Sequence, residues 1–143
     1  MQEYIDFFSN NLMLTVAWIV IAVLVVYTFI QNKLSSVKNV TTQEATLLIN
    51  KQNAIVVDIR TSDEYKKGHI VNAKNITVSQ IEQGKFVGIE NHKDTPIILV
   101  CDSGARTSAA ANKLVKAGFT QVNSLLAGMN GWQSANLPTT TMK

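Results

Sequence analysis

Cys101 is the only cysteine in the chain, and it follows the apolar run Pro96-Ile97-Ile98-Leu99-Val100. After it, Asp102-Ser103-Gly104-Ala105-Arg106 leads to Thr107-Ser108, where a helix is expected to open. A strand that ends in a small, glycine-containing turn and continues as a helix directs several backbone N–H groups into the turn, backed by the positive end of the helix dipole. Such a turn cradles an anion. A thiolate is one, and Arg106 adds positive charge, so these residues point to nucleophilic sulfur chemistry at Cys101. Asp102, directly beside the nucleophile, is expected to oppose a doubly charged donor such as thiosulfate by roughly 1 kcal/mol or more where solvation is poor.

Four residues separate Cys101 from Arg106. A cysteine phosphatase places five there, making a wider ring for a tetrahedral phosphate, so loop length disfavours a phosphatase or arsenate reductase. The six-residue loop resembles instead the active-site loop of the rhodanese family of sulfurtransferases, Cys-x-x-Gly-x-Arg, met here by Cys101, Gly104 and Arg106. Two further stretches are similar to family signatures. Val56-Val57-Asp58-Ile59-Arg60 followed by Glu64-Tyr65-Lys66-Lys67-Gly68-His69-Ile70 matches the upstream strand, Asp-x-Arg and Gly-His-Ile pattern. Leu126-Ala127-Gly128-Met129-Asn130-Gly131-Trp132 with Leu137-Pro138 matches the closing turn, Trp helix and exit. The chain departs from the pattern at Asn72, Met129 and Asn136, where the family has glycine. These are turn positions, and Asn tolerates positive φ better than most residues.

The resemblance implies a rhodanese-like α/β/α sandwich with a mostly parallel sheet. It also implies that Cys101 is the catalytic nucleophile, that Asp102, Ser103, Gly104, Ala105 and Arg106 form the substrate-binding loop, and that Asp58 and Arg60 support it. Cys101 would take the outer sulfur of a small donor as a persulfide and pass it to a thiol or cyanide, with protein-borne persulfides as possible partners of the exchange. No second cysteine exists to accept the sulfur, so the acceptor comes from outside. No cofactor or metal is called for. Arg106 has two open readings: it faces the donor anion, or it turns inward to pair with Asp58 or Glu64. A rhodanese-like module that recruits partners and turns over little is the alternative function.

A second signal precedes the loop. No residue from Phe7 to Asn32 is charged, and Leu12 to Ile30 is an apolar run of 19 residues. As a helix it would reach roughly 28 Å, enough for the hydrocarbon core of a bilayer. A cleaved signal peptide would begin with positive charge and carry a shorter apolar core; this segment begins with Glu3 and Asp6, so an uncleaved anchor is expected. Lys33 and Lys38 follow the span, which predicts an outside N-terminus and a cytoplasmic C-terminal domain, at a bacterial inner membrane. A lone thiol suits the reducing cytosol.

The expected organisation is an N-terminal segment over 1–11, a transmembrane helix over 12–32, a linker over 33–39 and a rhodanese-like domain over 40–143. All 13 basic residues and 8 of the 10 acidic ones lie beyond Asn32, so that part carries +5. The excess suits an anionic lipid surface, but it is scattered without an arginine-rich run, which argues against nucleic acid. Capping-box patterns at Thr41 and Thr61 predict two helix starts, and Ala54–Ile59, Ala73–Ile76, Ile97–Val100 and Gln121–Leu125 are expected strands. Helices are further expected over Ser79–Gln83 and Thr107–Ala117, the latter ended by Gly118.

Overall fold

The computed structural model describes residues 1, 2, 6, 11–34 and 37–142. It divides into two compact units, Met1–Ser35 and Ser36–Lys143.

In the first unit, α1 (Leu12–Leu34) is a single helix whose Leu12–Ile30 portion is long and apolar enough to cross a membrane. Its two threonine hydroxyls bond to backbone carbonyls one turn back, Thr15 donating to the Asn11 carbonyl at 3.1 Å and Thr28 to the Val25 carbonyl at 2.8 Å. Such back-bonding removes the cost of hydroxyls in an apolar segment.

The second unit alternates strands and helices: β1 (Lys38–Val40), α2 (Thr42–Gln52), β2 (Ile55–Asp58), α3 (Ser62–Lys67), β3 (His69–Ile70), β4 (Lys74–Asn75), α4 (Val78–Glu82), β5 (Ile97–Val100), α5 (Thr107–Lys116), β6 (Val122–Leu125), α6 (Gly128–Ser134) and β7 (Thr139–Thr140). Five strands form a parallel sheet in the order β1-β6-β5-β2-β4. Period-two alternation decides which face each side chain meets. Val57, Ile97 and Leu99 face one layer with Ile81 of α4 and Ala110, Ala111 and Leu114 of α5. Val56, Ile98 and Val100 face the other, with Ala45 of α2 and Met129 and Trp132 of α6. This is the α/β/α sandwich expected from the sequence, with β5 at its centre.

Helix starts follow local chemistry. Thr41 and Thr61 both close reciprocal capping boxes with Glu44 and Glu64. A third box, Thr77 with Gln80, opens α4 one residue before the start expected at Ser79. Helix α5 ends at Lys116 with Ala117 as its C-cap, and Gly118 follows with φ +97°, the left-handed conformation that releases the chain from a helix.

Two features depart from the sequence-based expectation. The segment expected as a linker over Lys33–Asn39 is partly regular: α1 runs through Leu34, and Lys38–Val40 pairs in parallel with Asn123–Leu125, which gives its backbone groups partners. Ser35 and Ser36 lie outside the described residues. A two-stranded antiparallel ribbon, His69↔Thr140 and Ile70↔Thr139, ties the Gly-His-Ile segment to the chain after the Leu-Pro exit.

Candidate active site

The order of the strands reverses between β2 and β5. From β2 the chain moves outward to β4, and from β5 it moves outward to β6. In an open parallel sheet such a reversal leaves a crevice at the C-terminal strand ends. Asp58 ends β2 in register with Val100, and Cys101 is the next residue after β5.

Cys101 is 1% exposed and continues the parity of Ile97 and Leu99 into the layer beneath α5. Among the described residues one backbone N–H donates to its sulfur, that of Gly104 at 2.8 Å. The sequence implied several such donors. Gly104 adopts φ +87°, and a β-carbon there would come within 3.3 Å of the Leu125 carbonyl oxygen, so glycine lets the loop fold back over the sulfur.

The peptide planes of the loop are fixed from behind. Backbone N–H groups at the start of α6 donate outward-facing bonds to the loop, Met129 to the Cys101 carbonyl at 2.7 Å and Asn130 to the Asp102 carbonyl at 3.1 Å. These bonds fix the Cys101 and Asp102 carbonyls on the side of α6. Gly128 permits this contact: it has φ +50°, and a β-carbon would overlap the Cys101 carbonyl oxygen. At the far end of the loop, the Thr107 hydroxyl bonds to the Gly104 carbonyl at 2.7 Å and shares a hydrogen bond with the buried Ser124.

Asp58 and Arg60, the residues expected to support the loop, pair with each other beside it. Arg60 donates to Asp58 through Nε and Nη2, the latter at 2.7 Å, with the two side chains 7% and 1% exposed. Nη2 also donates to the Gly68 carbonyl at 2.7 Å. Burial opposes the Arg60 charge, but the Asp58 carboxylate and then Asp102 outweigh it and hold the guanidinium above its ordinary pKa. The Asn75 amide bonds to the Asp58 and Arg60 carbonyls, both at 3.0 Å, fixing the backbone of the pair.

Asp102 lies between two cations. Its Oδ1 is 3.4 Å from Nη1 of Arg60, and its Oδ2 accepts from Nη2 of Arg106 at 2.8 Å. Arg106 also reaches Glu64 at 3.6 Å and is about half exposed. Of the inward partners considered for Arg106, Glu64 is met and Asp58 is not, because Arg60 occupies Asp58. Asp102 was not among the partners anticipated for it. Ser103 and Ala105 are exposed on the loop surface. The Thr61 hydroxyl and then the Thr61 backbone N–H hold Glu64 at about 2, well below the usual 4.5.

A cleft of about 570 Å³ adjoins the loop, with Ala105, Arg106 and Ala109 on one side and Ile59 and Val78 on the other. Among the described residues, no group of three His, Cys, Asp or Glu side chains is placed to hold a metal ion. Sequence reasoning did not assign roles to Gly128, Met129, Asn75 or Ser124. The Gly128-containing turn was visible as a motif, while the backbone bonds it makes carry no side-chain signature.

Comparison with known proteins agrees with this geometry. The chain is 44% identical over 138 residues to the uncharacterized protein YibN of Escherichia coli strain K12, covering 96% of each chain. It is 29% identical over 97 residues to the thiosulfate sulfurtransferase GlpE of Coxiella burnetii, covering 68% of this chain and 88% of that one. The fold is similar to that of the Alr3790 protein from Anabaena sp., with a TM-score of 0.64 at 22% identity over 72% of this chain and 80% of that one. Residues 41–135 match the rhodanese-like domain, and the chain belongs to that family.

Proposed function

We propose that this protein is a membrane-anchored sulfurtransferase that carries sulfane sulfur on Cys101. The observation that carries the reading is the bond from the Gly104 N–H to the Cys101 sulfur, made where the parallel strands β2 and β5 end in register. In the first half-reaction the thiolate attacks the outer sulfur of the donor. A new S–S bond forms at Sγ, and the bond to the rest of the donor breaks with its electron pair leaving on that fragment, sulfite in the case of thiosulfate. In the second, cyanide or a thiolate attacks the outer sulfur, and the electron pair of the S–S bond returns to Sγ. The loop N–H groups stabilise the negative sulfur in both halves.

The apolar Leu12–Ile30 helix serves as an uncleaved anchor in a bacterial inner membrane. Acidic Glu3 and Asp6 before it and Lys33 and Lys38 after it support an outside N-terminus and a cytoplasmic catalytic domain. The burial of Cys101 favours one second reading, a recruitment module with little turnover, since a donor must enter the loop to reach the sulfur.

Thiocyanate formation from thiosulfate and cyanide, and persulfide transfer to a low-molecular thiol, test the two readings together. The enzyme reading expects sulfur transfer by the wild-type protein with at least one donor and none by Cys101→Ser. Equal rates in both proteins, or no transfer with any donor, favour the module.

A further inference from the structure

Five charged side chains join end to end beside the loop: Asp58 to Arg60, Arg60 to Asp102, Asp102 to Arg106, and Arg106 to Glu64. Three carboxylates meet two guanidiniums, so the array carries one net negative charge. Asp102 is the one member bound to both arginines. Arg60 is 7% exposed and further fixed by the Gly68 carbonyl, so it is not available to a ligand. Arg106 is 48% exposed and is held by carboxylates alone. It is the cation a donor anion could recruit, and Asp102 holds it at 2.8 Å.

The cleft beside the loop presents the opposite character. Ile59, Val78, Ala105 and Ala109 supply apolar surface, and the hydroxyls of Thr61 and Thr77 are committed to the capping boxes of α3 and α4. Its charged member is Arg106, already paired.

We infer that Asp102 is the residue that sets donor specificity, acting through Arg106: it withholds that guanidinium from dianionic donors such as thiosulfate, and the adjoining cleft takes the uncharged, apolar flank of an organic hydropersulfide. The inference rests on the sulfur-transfer reading above. With such a donor the Cys101 thiolate attacks the outer sulfur of R–S–SH. The Sγ–S bond forms, the R–S bond to that sulfur breaks with its pair on R–S⁻, and the proton stays on the transferred sulfur, so no oxidant or reductant enters. Asp102 is a positioning residue in this account, and its effect differs from simple repulsion in requiring Arg106.

The test uses the full chain in detergent micelles, with thiosulfate and a short-chain alkyl hydropersulfide as donors. Breaking a charge-assisted hydrogen bond to Arg106 should raise kcat/KM for thiosulfate about tenfold in Asp102→Asn, chiefly through KM, while kcat/KM for the alkyl hydropersulfide does not share that gain. Asp102→Glu, which keeps the pair, should behave as the wild type. In Asp102→Asn combined with Arg106→Gln the thiosulfate gain should disappear. A gain that survives in the double variant, or equal changes for both donors, overturns the inference, as does unchanged thiosulfate kinetics in a single variant with a wild-type melting curve. If neither donor leaves sulfur on wild-type Cys101, the underlying sulfur-transfer reading fails, an outcome separable from these three.

Discussion

Gly128 sits directly behind Cys101: a β-carbon on Gly128 would overlap the Cys101 carbonyl oxygen and lie 2.7 Å from that of Asp102. The closing turn of the domain is thus a structural part of the Cys101 loop, although 26 positions of sequence separate the two residues.

Gly128→Ala combines a left-handed backbone position with that overlap, so it should destabilise the domain by about 2 kcal/mol or more and abolish sulfur transfer. Gly84 provides the control. It also has positive φ, at +73°, but nothing lies within 4 Å of a β-carbon there. Gly84→Ala should cost about 1 kcal/mol and leave transfer intact. Urea denaturation with a parallel transfer assay separates the two, and equal effects would mean that the contact behind Cys101 is unimportant.

Arg60→Ala leaves Asp58 buried at 1% exposure without its counter-charge. Loss of one partner from a buried ion pair should lower unfolding stability by about 3 kcal/mol or more. Equilibrium unfolding in urea checks this, and a loss below about 1 kcal/mol would show that Asp58 is satisfied by other groups.

The Thr61–Glu64 capping box predicts a pH dependence of stability. In the folded domain Glu64 titrates at about 2 in place of the usual 4.5, so its folded pKa is depressed. Its contribution is therefore fully present above about pH 4.5 and is lost as the pH falls toward about 2. Comparing urea midpoints at pH 6 and pH 3, Glu64→Gln should show a smaller fall in stability than the wild type. An equal fall in both proteins would place the acid sensitivity at other carboxylates.

Orientation has its own test. A reporter active only outside the cytoplasm should be silent when fused after Lys143 and active when fused at the N-terminus. The reverse pattern would overturn the cytoplasmic assignment and the argument from a reducing compartment.

Much of this architecture was legible in the sequence because it rests on local signals. The runs Ala54–Val57 and Ile97–Val100 are apolar at every position, as strands buried on both faces require, and Thr41-x-x-Glu44 and Thr61-x-x-Glu64 write the helix starts directly. The place of Cys101 in the fold followed from the strand, turn and helix around it. Other features depend on long-range partners. Lys38–Val40 and Thr139–Thr140 are short and polar, and they become strands through pairing with Asn123–Leu125 and His69–Ile70. Asp102 could be read from sequence as an unscreened negative charge; Arg106 lies four residues along the same loop, but that Arg60 flanks it from the other side depends on where the end of β2 meets that loop. The donors from Met129 and Asn130 to the loop are backbone groups, which no residue type reveals.

Intact-mass spectrometry of the purified full chain, before and after incubation with a sulfur donor, tests the central claim most directly. The account predicts that the wild-type protein gains the mass of one sulfur atom, loses it on treatment with a reductant or cyanide, and that Cys101→Ser gains none while keeping the wild-type unfolding midpoint. The absence of any gain with thiosulfate, organic hydropersulfide and protein persulfide alike, or an undiminished gain in Cys101→Ser, would contradict it.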